Sequence, residues 1–144
     1  MKKEITTTIL IQAKPVKIWQ ILMDFENYPT WNPFIIEISG NPQTGKSIQA
    51  KIQPSGSKPM IFKPIVLVNE SEKEFKWKGK LLFKGLFDGE HCFQLIDNQN
   101  GSTTFIHSEK FSGILVPFLI KMLDTNTKNG FTLMNEAIKK RAES

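Results

Sequence analysis

The chain is poor in the residues that most often announce a function. It has one cysteine, Cys92, one arginine, Arg141, one tyrosine and two histidines. A lone cysteine cannot form an internal disulfide, and alone it cannot anchor a thiolate metal site. No apolar run approaches the roughly 18–20 residues that cross a bilayer, so integral membrane association is not expected. The opening MKKEITTTILIQAKP begins with two lysines, but its apolar stretch is short, threonine-rich and alternating. It reads as a strand rather than a signal peptide, and a cytoplasmic location is expected. The net charge is +5 and the isoelectric point about 9.3. Of the 19 basic residues all but Arg141 are lysines, scattered along the chain. Arginine is the residue that grips phosphate and guanine bidentately, so this balance reads as a solvated lysine surface, with no nucleic-acid partner expected. There is no internal repeat, low-complexity tract or long linker. With 144 residues, 40% apolar and 23% charged, residues 1–144 suit one domain around one core.

What is present is mostly β pattern. Residues 4–12 are rich in β-branched side chains and read as a strand. Pro15 suits the first turn of a helix, and Val16, Ile18, Trp19, Leu22 and Met23 follow at helical spacing over 15–23. In DFENYPTWNPF, Pro29 and Pro33 stop regular structure, while Tyr28, Trp31 and Phe34 imply that the turn is packed down. Strands are expected over 34–39, 46–53, 60–69, 73–82, 86–97 and 103–113. Pro64 marks the third of these as an edge or a bulge. In the fourth, Phe75, Trp77, Gly79 and Leu81 alternate with Lys76, Lys78 and Lys80, which describes a sheet with one wet face.

A long helix over about 116–142 closes the chain, with Pro117 in its first turn. On a regular wheel Lys121, Asp124, Thr125, Lys128, Thr132, Asn135 and Lys139 share one side. Leu119, Met122, Leu123, Leu133, Met134 and Ala137 share the other, with Asn126 and Gly130 in its middle. Gly130 marks either a strand approaching closely or a space left beside the helix. The order is α+β: a curved antiparallel sheet of about seven strands wrapped on one long helix, with two short helices after the first strand. Such a wrap tends to enclose a cavity.

Both histidines fall in GEHCFQLIDNQNGSTTFIHSEKF, residues 89–111. Alternation puts Phe87, Gly89, His91, Phe93 and Leu95 on one face of their strand, and Phe105, His107, Glu109 and Phe111 on one face of the next. With residues 98–102 as the loop, His91 opposes Glu109 and Phe93 opposes His107. A three-residue loop instead pairs His91 with His107. Either register gathers three polar groups in one apolar patch. An unpaired carboxylate is unfavourable there, and a neighbouring imidazole relieves it. The patch can be a structural pair with a buried water, a polar handle that orients a ligand, a general acid/base pair or a metal site. All three candidate metal ligands would lie on one hairpin, and no metal is expected. Phe34, Trp77, Phe83, Phe87, Phe93, Phe105 and Phe111 exceed what one covering helix fills, so some should line a void. Trp31 reads as an anchor of the fold. Cys92 points to the opposite strand face from His91, which argues against a nucleophile.

This order, with YPTWNPFI at 28–35, WNPF at 31–34, GxHxF at 89–93 and HSEKFSG at 107–113, resembles the START-related, birch-pollen-allergen-like superfamily (SRPBCC), and within it small bacterial polyketide cyclase/dehydrase and lipid-transport-like proteins. The resemblance covers the whole chain. It implies a helix-grip fold whose sheet and C-terminal helix enclose an apolar cavity for lipids, sterols, polyketides or isoprenoids. It implies a pocket more firmly than a reaction, because the superfamily has no universal catalytic motif. The expected function is binding of a small apolar ligand by Phe34, Trp77, Phe87, His91, Phe93, Phe105, His107, Glu109 and Phe111 from the sheet side and Met122, Asn126 and Gly130 from the helix. No cofactor is expected. The competing expectations are a cyclase/dehydratase-type enzyme using the His/Glu pair, and a protein-binding module like the chaperone-activator branch. Sequence sets neither the ligand nor the oligomeric state.

Overall fold

The computed structural model describes residues 2–80 and 84–144. Strand β1 (Lys2–Ile11) leads into helix α1 (Pro15–Met23), a single 3-10 turn and the short helix α2 (Tyr28–Trp31). Strands β2 (Ile35–Gly40), β3 (Ile48–Ile52), β4 (Met60–Phe62), β5 (Ile65–Glu70), β6 (Glu74–Lys80), β7 (Asp88–Asp97) and β8 (Thr103–Ser112) follow. Helices α3 (Val116–Met122) and α4 (Lys128–Ala142) are joined without a break by a π turn, Leu123–Thr127. Five strands form one antiparallel sheet in the order β1-β8-β7-β6-β5, and β2-β3-β4 form a second. This is the helix-grip arrangement, with eight strands among the described residues. Leu81, Leu82 and Phe83 lie outside the described residues, so the end of the 73–82 strand and the place of Phe83 in the aromatic set do too.

Local chemistry explains the first turns. Pro15 opens α1, and Ile18, Trp19 and Leu22 are buried with it at helical spacing. Each fully buried aliphatic side chain of this kind contributes about 1.5–3 kcal/mol. The helix end is closed by the Tyr28 hydroxyl, which donates to the Leu22 carbonyl at 2.7 Å. Burial pushes that phenol far above its usual range. WNPF then works as a strand starter. Asn32 is buried, and its side-chain oxygen accepts from the backbone N–H groups of Phe34 and Ile35 at 2.9 and 2.8 Å. Pro33 has no N–H to offer, so the asparagine holds the chain where the ladder cannot yet begin. Phe34 is thereby turned inward, at 1% exposure.

Two expectations are corrected. Residues 60–69 are not one strand: the chain breaks at Lys63-Pro64 and crosses from the three-stranded to the five-stranded sheet. Pro64 cannot donate to a ladder, but its carbonyl accepts from Ile48 N–H at 3.0 Å, and a Ser47–Ile65 bridge ties the two sheets there. The C-terminal helix is not one regular wheel. The π turn inserts one extra residue and rotates everything after it by about 100°. Leu133, expected inside, is therefore 45% exposed, and Asn135, expected outside, is buried at 3%. Phe131 and Ile138 join Met134 in the core. Gly130 marks a close approach, but by a ring: a Cβ there would collide with Phe34 Cδ1. Asn126 is half-buried. Its side-chain amide donates to the Ser55 carbonyl at 2.8 Å, and its backbone carbonyl accepts from Ser55 N–H at 3.1 Å, which pins the turn at 54–57 to the helix.

Candidate functional site

The hairpin of β7 and β8 sets the site. Its five-residue loop is tied by Asn98, whose backbone N–H donates to the Ser102 carbonyl at 3.1 Å, and by Asn100, whose side chain accepts from Ser102 N–H at 3.0 Å. Gln99 and Gly101 take positive φ angles of 59° and 86°. The loop selects the first of the two registers: His91 opposes Glu109, and Phe93 opposes His107. With β6 added, three rungs cross the concave face. They are Phe75–Phe93–His107, Trp77–His91–Glu109 and Gly79–Gly89–Phe111. Along both β6 and β7 two ring side chains are followed by a glycine.

The polar groups form a single hydrogen-bonded line. Glu109 Oε1 meets His91 Nδ1 at 2.9 Å, His91 Nε2 meets His107 Nε2 at 2.7 Å, and His107 Nδ1 meets Asn135 Oδ1 at 2.9 Å. Asn135 Nδ2 donates to Thr7 Oγ1 at 2.8 Å, and that hydroxyl donates to the His107 backbone carbonyl at 3.0 Å. The last contact fixes the direction of the rest. A carbonyl can only accept, so Thr7 donates to it and accepts from the Asn135 amide nitrogen. Asn135 therefore turns its oxygen to His107, whose Nδ1 must carry a proton. One proton then sits between the two Nε2 atoms and one between His91 Nδ1 and Glu109 Oε1. Thr7 and Asn135 were not among the sequence candidates. Thr7 lies opposite His107 in the β1–β8 ladder, a pairing that no local pattern announces.

Packing holds this line in place. Both histidines are 0% exposed. His91 stacks on Trp77 at 4.9 Å and on Phe34 at 6.2 Å, and His107 lies nearly parallel to Phe131 at 4.0 Å. Burial, then the adjacent His91, hold the His107 pKa well below the usual imidazole value; the Asn135 hydrogen bond opposes them more weakly. Both nitrogens of each ring face a protein partner, so neither offers a lone pair to a cation without breaking a link. Cys92 lies on the other face of β7, where burial, and next Glu74, push its thiol up to about 11. It is not an activated nucleophile.

Beside this line is a pocket of about 50 Å³. Of the sequence candidates, Phe34, Trp77, Phe87, Glu109, Phe111 and Met122 line it. His91, Phe93, Phe105 and His107 sit behind the lining, Gly130 lies under the Phe34 ring, and Asn126 binds the 54–57 turn. The lining also includes Ile52, Pro54, Met60, Phe62, Leu123 and Thr127, together with Gly79 and Gly89. The two glycines oppose each other across β6 and β7, so the sheet presents bare backbone there. The alternation of 73–82 and 86–97 placed each glycine on the concave face; only the pairing of the strands makes them neighbours. Gly89 also cradles the carboxylate, since a Cβ on it would collide with Glu109 Oε2.

The comparisons with known proteins agree with this architecture. The norcoclaurine synthase of Thalictrum flavum superposes with a TM-score of 0.72 at 15% identity, over 99% of this chain and 94% of that one. The Zhui aromatase/cyclase of Streptomyces sp. R1128 gives 0.79 at 11%, over 99% and 94%. The hypothetical protein jhp0584 of Helicobacter pylori gives 0.81 at 14%, over 97% and 88%. At such identities the likeness is one of fold. No curated protein matches the sequence. Among the described residues no helix is long and apolar enough to cross a membrane. The family described as polyketide cyclase/dehydrase and lipid transport matches residues 2–143, and the chain belongs to it.

Proposed function

We propose that this protein binds a small apolar molecule in the pocket between the sheet and the C-terminal helix, with one polar end of that molecule against Glu109. The observation that carries this reading is the composition of the wall. Among the described residues, Glu109 is the only ionisable group lining a pocket otherwise built from aromatic, aliphatic and methionine side chains, glycine, proline and one threonine. Apolar contact supplies affinity in such a site, and the single polar group orients the ligand. The volume, about 50 Å³, is well below the roughly 300–1,000 Å³ of pockets that swallow a whole ligand. It suits a slender end or a chain, with the half-buried Met60, Phe62 and Met122 able to repack around more.

One observation favours a second reading, in which the site is catalytic. The proton between Glu109 and His91 can move from one partner to the other along a 2.9 Å bond, as a general acid/base pair requires. The family name covers both carriers and cyclases, and the norcoclaurine synthase and aromatase/cyclase relatives are named for reactions. Native mass spectrometry of the purified protein, followed by solvent extraction, tests the pocket directly. A defined apolar adduct supports binding; a clean mass together with no uptake of a fluorescent apolar probe would falsify it. With a bound compound identified, Glu109→Gln separates the two readings. A binder changes affinity only, whereas an enzyme loses turnover and its pH profile.

A further inference from the structure

The hydrogen-bonded line does more than place Glu109: it decides what Glu109 can offer. Three links join Glu109, His91, His107 and Asn135, and each needs one proton. The direction set by the Thr7 hydroxyl and the His107 carbonyl puts that proton at His107 Nδ1 in the third link. However the other two protons are shared, one lies between the Nε2 atoms and one between His91 Nδ1 and Glu109 Oε1. No proton is left for Oε2. That oxygen makes no hydrogen bond among the described residues, and it lies over Gly89 on the pocket lining. A fourth proton would put an uncompensated positive charge on a group whose two rings are 0% exposed.

We infer that the pocket selects ligands whose buried end donates a hydrogen bond, an alcohol, phenol or N–H compound, and discriminates against ends that only accept, such as aldehydes, ketones and carboxylates. This rests on the pocket being the binding site. Glu109 Oε2 is an acceptor whether the carboxyl is ionised or holds its proton on Oε1, so the selection does not depend on which partner carries the charge. An acceptor-only end would face a bare oxygen lone pair with no donor between them, and a carboxylate would add like charge. Asn135 and Thr7 are positioning residues in this scheme. They touch no ligand, but they orient the chain that leaves Oε2 bare.

The test is a matched set of slender probes: octan-1-ol, octanal, octanoate and octane. Binding is followed by the methyl resonances of Met60 and Met122 in the whole chain. Octan-1-ol is expected to bind about tenfold more tightly than octanal, and octanoate least well. Glu109→Gln should keep the preference, because its amide N–H replaces the shared proton on His91 and its oxygen still faces the pocket. Glu109→Leu should abolish it. Four equal affinities would leave the pocket standing and overturn the selection, as would a preference for octanal or octanoate. No binding of any probe, octane included, would overturn the pocket reading and the selection with it. Imidazole nitrogen shifts give a check that needs no ligand. His107 is expected to be protonated at Nδ1, and a bare Nδ1 would reverse the chain and sink the inference.

Discussion

The concave face of the sheet has two ends built on the same three strands, and they are filled in opposite ways. At one end the rung Phe75–Phe93–His107 meets Trp19, Phe105 and Phe131, all buried, in a set of edge-to-face and stacked rings. At the other end the rung Gly79–Gly89–Phe111 offers a single side chain, and the pocket lies against it. Between them Trp77–His91–Glu109 grades from apolar to acidic. A protein interior packs to crystal-like density, so a gap of this kind needs a cause. Two glycines in register contribute no side chain at this end, where the Glu109 carboxyl and the Pro64 and Phe62 side chains come up to them instead. The polar line crosses from the filled end to the open one, anchored where packing is tight and ending where there is room.

Four predictions break or sharpen this contrast, taken from the largest effect to the smallest. Phe93→Ala removes a fully buried ring from the filled end. It should lower unfolding free energy by about 3–5 kcal/mol in a denaturant titration; a loss below 1 kcal/mol would mean that this end is not tightly packed.

His107→Phe keeps a ring but strands His91 Nε2–H and the Asn135 side-chain oxygen. A loss of about 2–3 kcal/mol is expected near neutral pH. The same substitution tests an acid response. Because the His107 pKa is held well below 6.5 in the folded state, the unfolded chain takes up a proton that the folded chain refuses as pH falls below about 6.5. Stability from this group is therefore full above that value and falls below it, by at most about 1.4 kcal/mol per pH unit. The wild type should lose stability more steeply between pH 7 and 5 than His107→Phe; equal slopes would remove His107 as the cause.

The two glycines at the open end should differ. A Cβ at Gly89 would displace the Glu109 carboxyl, so Gly89→Ala should weaken the bond to His91, shift the His91 nitrogen resonances and reduce stability by about 1 kcal/mol. A Cβ at Gly79 meets Pro64 Cβ at 3.5 Å and Phe62 Cβ and Pro64 Cα at 3.9 Å, all ordinary contacts. Gly79→Ala should therefore leave those resonances in place and change stability by under about 0.5 kcal/mol. Similar spectra for the two variants would refute the cradle at Gly89. The smallest effect is expected at Phe118, which is 82% exposed at the start of α3. Phe118→Ser should be neutral within about 0.5 kcal/mol, and a larger loss would place that ring in a contact absent from the single chain.

Much of this was legible in advance. Alternation placed Phe93, His91 and Gly89 on one face of their strand, and His107, Glu109 and Phe111 on one face of theirs. The loop residues allowed the register that the protein adopts. Pro15 and the spacing after it gave α1 its limits, 15–23. Two features resisted. Pro64 read as an irregularity within one strand, whereas it is the crossing between two sheets. Asn135 read as a solvent residue because the wheel assumed 3.6 residues per turn throughout, and nothing in LDTNT at 123–127 signals the wider turn.

Sequence by itself determined which side chains share a strand face, which segments turn, and that the chain would wrap a sheet on its last helix. These follow from periods of two and 3.6 and from the backbone limits of proline and glycine, which act within a few residues. Tertiary structure alone decided that Thr7 and Asn135 would complete the line from Glu109, that two glycines distant in sequence would stand opposite each other, and that the Phe34 ring would occupy the place left by Gly130. Those outcomes depend on strand order, register and the phase of a helix, which are fixed by the packing of the whole core and not by any local stretch.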